Sequence, residues 1–125
     1  MFLNLTDLSD EPLQSQIIRQ VRAKILAGKM EAGSSLPSIR VLAKDQKVSV
    51  ITVQRAYESL LREGLIHSRR GKGFFVSELK GNDKKEIAKQ RLFEALERPV
   101  LAGAAEGLGK KDILITVEKI LSKNR

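Results

Sequence analysis

The sequence predicts a mainly α-helical chain in which three short helices, closed by a β-hairpin, precede a small helical tail. Three observations lead to this class. Apolar residues recur at helical spacing in successive stretches between residues 10 and 63. The period shortens to that of a strand on both sides of Arg70-Gly71-Lys72-Gly73. Helical spacing then returns beyond residue 83. Residues 10–78 form the first predicted domain and residues 79–125 the second.

The first helix is expected to open at Asp10-Glu11-Pro12. Asp10 is the expected cap, and Pro12 stands where its missing N–H costs nothing. Leu13, Ile17, Val21 and Ile25 mark its apolar face, and Gly28 ends it. Residues 28–35 read as a loop. Pro37 excludes a helix interior, so the second helix is expected to start after it with Ser38 as cap and to end near Gln46. Ile39, Leu42 and Ala43 share one face of this helix, and Arg40 and Lys44 share another. Lys47-Val48 is the turn. Ser49 caps a third helix that runs to about Glu63 and stops at Gly64. Its stripe is Val53, Ala56, Tyr57 and Leu60, with Ile51, Thr52, Gln54, Arg55 and Glu58 away from it.

Beyond Gly64, residues 65–69 and 74–77 are β-prone, and the basic, glycine-containing turn between them makes a wing. The whole is a winged helix-turn-helix. Leu79 to Asp83 reads as a linker broken at Gly81-Asn82. The helix that follows is expected to kink or end at Pro99, and a last helix to cover Lys111 to about Ser122.

With 125 residues, 42% of them hydrophobic, the chain has enough material for one small domain and an appendage. It has no cysteine and one histidine, so no disulfide or thiolate metal site is expected and no cofactor is implied. No apolar run is long enough to cross a bilayer, and no leader is recognisable. A cytoplasmic protein without a membrane partner is expected. No nucleophile stands beside a base and no carboxylates pair in an apolar setting, so nothing points to an enzyme.

The formal net charge is +8, and its location is more informative than its size. Residues 40–75 hold eight basic groups (Arg40, Lys44, Lys47, Arg55, Arg62, Arg69, Arg70, Lys72) against three acidic ones (Asp45, Glu58, Glu63). A helix presented by such a scaffold fits the major groove of duplex DNA, where its N-terminal side chains reach base edges. Arg40 and Lys44 would then face phosphates, with Arg69, Arg70 and Lys72 on the wing near the adjacent groove. Gly71 and Gly73 permit the positive φ and close approach that a wing tip requires. A winged-helix module for protein–protein contact or DNA architecture is the alternative reading.

The blocks LPSIRVLA (36–43), VSVITVQRAYESLLREGLI (48–66) and GKGFFV (71–76), with PLQSQI (12–17) before them, resemble the DNA-binding domain of GntR-type bacterial regulators. The short two-helix tail resembles that of the YtrA-type subgroup, in which this segment mediates dimerisation. The resemblance implies that Arg40 contacts the operator, that Ser49 and Thr52 touch the DNA backbone, and that Gly71 and Gly73 form the wing tip. It also implies a repressor, acting on a neighbouring transporter operon. Members commonly carry an arginine directly after the Val-Ser pair and a tyrosine early in the first helix; this chain has Val50, followed by Ile51, and Gln14. Base reading is therefore expected from Gln54 and Arg55, with Ile51 or Val50 against a thymine methyl.

Two tail helices cannot bury enough surface alone. A homodimer is expected, joined through Leu92, Phe93, Leu96, Leu101, Leu114, Val117 and Leu121 and bound to a palindromic operator. Gly103 to Gly109 would leave room for an unidentified small-molecule effector.

Overall fold

A computed structural model describes residues 1–124. Its elements are α1 (Leu13–Leu26), α2 (Ile39–Gln46), α3 (Val50–Arg62), β1 (Ile66–Arg69), β2 (Gly73–Val76), α4 (Gly81–Ala105) and α5 (Lys110–Lys123). The chain divides into two compact units, Met1–Lys85 and the residues from Glu86 onward. The mainly α class with a two-stranded antiparallel wing is as the sequence predicts.

The first unit is built on the stripe of α3. Val53, Ala56, Tyr57 and Leu60 are buried against Ile17, Val21 and Ile25 of α1 and Leu42 and Ala43 of α2; Leu65, Ile66 and Val76 close the cluster from the wing. These aliphatic contacts supply most of the stabilisation, roughly 1.5–3 kcal/mol for each fully buried large side chain. A two-point ion pair pins α1 to the end of α3: Arg22 donates from Nε and Nη2 to the two carboxylate oxygens of Glu63 at 2.9 and 2.8 Å.

Two local expectations change, and the N-terminal residues add a third feature. Asp10 does not cap α1. Pro12 occupies the N-cap position with no side-chain cap, so Asp10 lies two residues too far upstream. The entry is held instead by Glu11, whose carboxylate takes two-point donation from Arg19 and is thereby kept below the usual carboxylate range. Residues 33–36 are also more than a loop, because they run antiparallel to β2. Val76 N–H donates to Ser34 O, Leu36 N–H to Phe74 O and Gly33 N–H to Val76 O, each at 2.8 Å. β2 therefore has backbone partners on both sides. The N-terminal residues, finally, lie along α1 through a side-chain ladder. Gln16 and Gln20, one turn apart, each accept from and donate to the backbone of one residue, Thr6 and Asn4 respectively, at 2.7–2.9 Å. The ladder seats Leu3 in the core, and together with a second donation from Gln16 Nε2 to Glu11 O at 2.8 Å it satisfies Gln16, which is almost fully buried.

In the tail, the expected break at Gly81-Asn82 is a helix start, with Asp83 placed favourably in the first turn. Pro99 does not end the helix, which continues to Ala105. Proline removes the bond to the carbonyl four residues back and costs about 3 kcal/mol in a helix interior. Here that carbonyl belongs to Ala95, on an open, exposed surface where water can bind it. Gly103 is buried. Leu108 folds back over it, donating its N–H to Gly103 O at 3.0 Å, and a Cβ at position 103 would stand 3.3 Å from Leu108 Cδ1.

Candidate nucleic-acid interface

The α2–α3 corner is organised by two caps and one left-handed residue. Ser38 Oγ accepts the Val41 N–H at 3.2 Å, and Ser49 Oγ accepts the Thr52 N–H at 3.1 Å. Between them Lys47 adopts φ 56°, the single non-glycine residue with positive φ among the described residues, and Val48 N–H returns to Ala43 O at 3.0 Å. The turn is thereby short and closed, and it fixes where the N-terminus of α3 points.

All eight basic side chains of residues 40–75 are exposed. Arg40 and Lys44 lie one turn apart on α2. Neither they nor Arg55, Arg70 and Lys72 are held in an ion pair among the described residues. Glu63, one conceivable partner of Arg40, is occupied by Arg22. The opening turn of α3 presents Val50 and Ile51 at 46% and 58% exposure. Gln54 and Arg55 follow, also exposed. The Gln54 amide donates to Glu58 Oε1 at 3.3 Å, a long bond that leaves its second N–H and its carbonyl oxygen available. Ser49 and Thr52 share a hydroxyl–hydroxyl bond of 2.8 Å. That bond uses one of their two hydroxyl protons, so the other remains to donate to an anion.

The wing turn is closed by Lys72 N–H donating to Arg69 O at 2.9 Å, with Gly71 and Gly73 at φ 75° and 102°. Arg69 does not project freely. Its guanidinium lies 4.7 Å from the centroid of the Phe75 ring, and His67 stacks on the same ring at 5.9 Å and 25°. His67 and Phe75 are absent from the sequence-derived site. The available signal was the alternation of β1, which puts His67 and Arg69 on one face opposite Phe75. Val41 on α2 is a further exposed apolar residue the sequence reading left out.

The proposed dimer residues divide into two sets within the second unit. Leu96 and Val117 are half-buried and line an apolar cleft of about 160 Å³ between α4 and α5, together with Val100, Ile113 and Ile120. Leu92, Phe93, Leu101, Leu114 and Leu121 are more than half exposed. Among the described residues no helix is long and apolar enough to cross a membrane, and no group of acidic and histidine side chains is arranged to hold a metal ion.

Residues 13–76, which hold both caps, the α2–α3 corner and the wing, match the family model described as "Bacterial regulatory proteins, gntR family". The chain belongs to the GntR family. It is a DNA-binding transcription regulator of that family, not an enzyme. Among curated GntR relatives, it is 34% identical to the uncharacterized HTH-type transcriptional regulator YhcF of Bacillus subtilis, over 90% of this chain and 87% of that protein. It is 43% identical to the HTH-type transcriptional repressor YtrA of the same organism, over 56% of this chain but only 54% of YtrA. Among solved structures, a GntR family transcriptional regulator from Listeria monocytogenes superposes with TM-score 0.75 at 28% identity, covering 92% of this chain and 98% of that one. AraR(DBD), solved in complex with operator ORX1, superposes with TM-score 0.52 at 28% identity, over 60% of this chain and 93% of its own.

Proposed function

We propose that the chain is a sequence-specific repressor that binds a palindromic operator as a homodimer. α3 enters the major groove, and the wing lies against the adjacent backbone. The observation that carries this reading is the leading end of α3. Val50, Ile51, Gln54 and Arg55 are exposed there, and Arg40 and Lys44 on the preceding helix are exposed and in no ion pair among the described residues. In this reading the α2 cations and the Ser38, Ser49 and Thr52 hydroxyls contact phosphates and set the register. Gln54 and Arg55 read base edges, and Val50 and Ile51 meet thymine methyls. Arg70, Lys72 and the Gly71 and Gly73 backbone of the wing add sequence-independent affinity. The solution of AraR with an operator supports DNA as the partner, and the repressor name of YtrA supports the direction of control.

The dimer forms through the uncovered apolar side chains of the tail. Phe93 and Leu101 flank an open groove of about 340 Å³ on α4, and Leu114 and Leu121 lie one face away from the α4–α5 cleft. The test is binding of the full chain to a palindromic duplex, to the same duplex with one half-site scrambled, and to an unrelated duplex, across a salt series. Preference for the intact palindrome that persists as salt rises supports the reading. Equal affinity for all three duplexes would favour the architectural alternative.

A further inference from the structure

The outer face of the wing carries a stacked assembly. His67 and Phe75 are cross-strand partners, and Arg69 lies two residues beyond His67 on the same face. Its own cross-strand partner is Gly73, where nothing would lie within 4 Å of an added Cβ. With no side chain opposite, the Arg69 guanidinium is free to fold diagonally back over the Phe75 ring, 4.7 Å from its centroid. His67 stacks on the Phe75 ring, and the Phe75 backbone sits in β2 between β1 and the Ser34–Leu36 segment.

A cation–π contact differs from an ion pair in what it leaves available. It orients the guanidinium through the π face and uses none of the in-plane N–H donors. No hydrogen bond or ion pair among the described residues engages those donors of Arg69. Arg70 and Lys72, at the tip, have no comparable support.

We propose that Phe75 is a positioning residue for DNA binding: it holds Arg69 pre-oriented, with its donors directed outward, as the wing's phosphate clamp. The inference rests on the wing's role given above and adds a residue that touches no nucleic acid. Pre-orientation lowers the entropy cost of fixing a long side chain on binding, so losing the ring weakens the Arg69 contact without changing the charge.

The experiment uses the full chain and a fluorescent mixed-sequence duplex of about 30 base pairs, because a phosphate contact does not depend on sequence. Phe75→Leu, Phe75→Met, Phe75→Tyr, Arg69→Ala and the double variant Arg69→Ala/Phe75→Leu are compared across a salt series. Thermal unfolding is followed for each. Loss of the ring in Phe75→Leu and Phe75→Met weakens binding about two- to fivefold, the range expected of an exposed cation–π contact, with the salt slope unchanged. Phe75→Tyr restores the affinity. Arg69→Ala weakens binding and lowers the salt slope by about one phosphate contact per protomer, and adding Phe75→Leu to it costs nothing further. If Phe75→Leu weakens binding equally with and without Arg69, the ring acts through the fold and the proposal is overturned. Unchanged affinity in both ringless variants also overturns it. If Arg69→Ala changes neither affinity nor slope, the wing reading itself fails.

Discussion

Tyr57 donates its phenolic hydroxyl to the carbonyl oxygen of Pro37 at 2.7 Å. The bond ties the middle of α3 to the residue just before the cap of α2. The same ring meets Phe74 edge-on, with centroids 5.0 Å apart. One buried side chain therefore sets the spacing of three elements: α3, the start of α2 and the wing strand β2. Replacing Tyr57 by Phe keeps the ring but orphans the Pro37 carbonyl. It is expected to lower stability by about 1–2 kcal/mol in urea denaturation, with an unchanged m-value.

Burial pushes the Tyr57 hydroxyl well above the ordinary tyrosine range. Between the unfolded value, near 10, and the raised folded value, the native state binds the extra proton, so stability falls as pH rises. The contribution is complete below about pH 10 and is lost above it. Thermal unfolding followed from pH 8 to 11 should show an alkaline decline in the wild-type chain that is shallower in Tyr57→Phe.

Gln54 offers a free carbonyl oxygen and one unengaged N–H, the pair that adenine N6 and N7 can accommodate. In a randomised-site selection, Gln54→Ala should reduce discrimination for adenine at one position per half-site by about tenfold and leave the other positions intact. An unchanged base preference would remove Gln54 from the reading surface.

Phe93, at 62% exposure, projects beside the groove that Leu101 and Val100 also line. Phe93→Asp introduces a charge that a dimer core would have to desolvate. Light scattering should report a monomer, and affinity for a palindrome should fall by roughly 10²-fold or more as the two half-sites become independent. A dimer that survives Phe93→Asp would move the interface elsewhere.

How far these features were legible in the sequence depended on how local their causes are. The caps at Ser38 and Ser49, the α3 stripe and the glycine turn of the wing each arise within a few residues, and the structure has them where the pattern puts them. What escaped depends on distant partners. The Gln16 and Gln20 ladder needs residues 4 and 6, and the pairing of Ser34–Leu36 needs β2, more than 35 positions later. Of the two outcomes expected at Pro99, a kink or an end, the end does not occur, for a related reason. A proline's cost is set by what else can solvate the freed carbonyl, and residue spacing does not reveal that. At the candidate site the cations were legible from charge alone. The Phe75 platform beneath Arg69 was not, because it requires the register of the hairpin and the bare face at Gly73.

A dimer that places two copies of α3 in successive major grooves can be read out by selecting bound duplexes from a random library with the full chain. The expected result is an inverted repeat whose half-sites lie about 10 base pairs apart, centre to centre, or a multiple of that. Enrichment of a lone half-site, a direct repeat or no motif at all would contradict it.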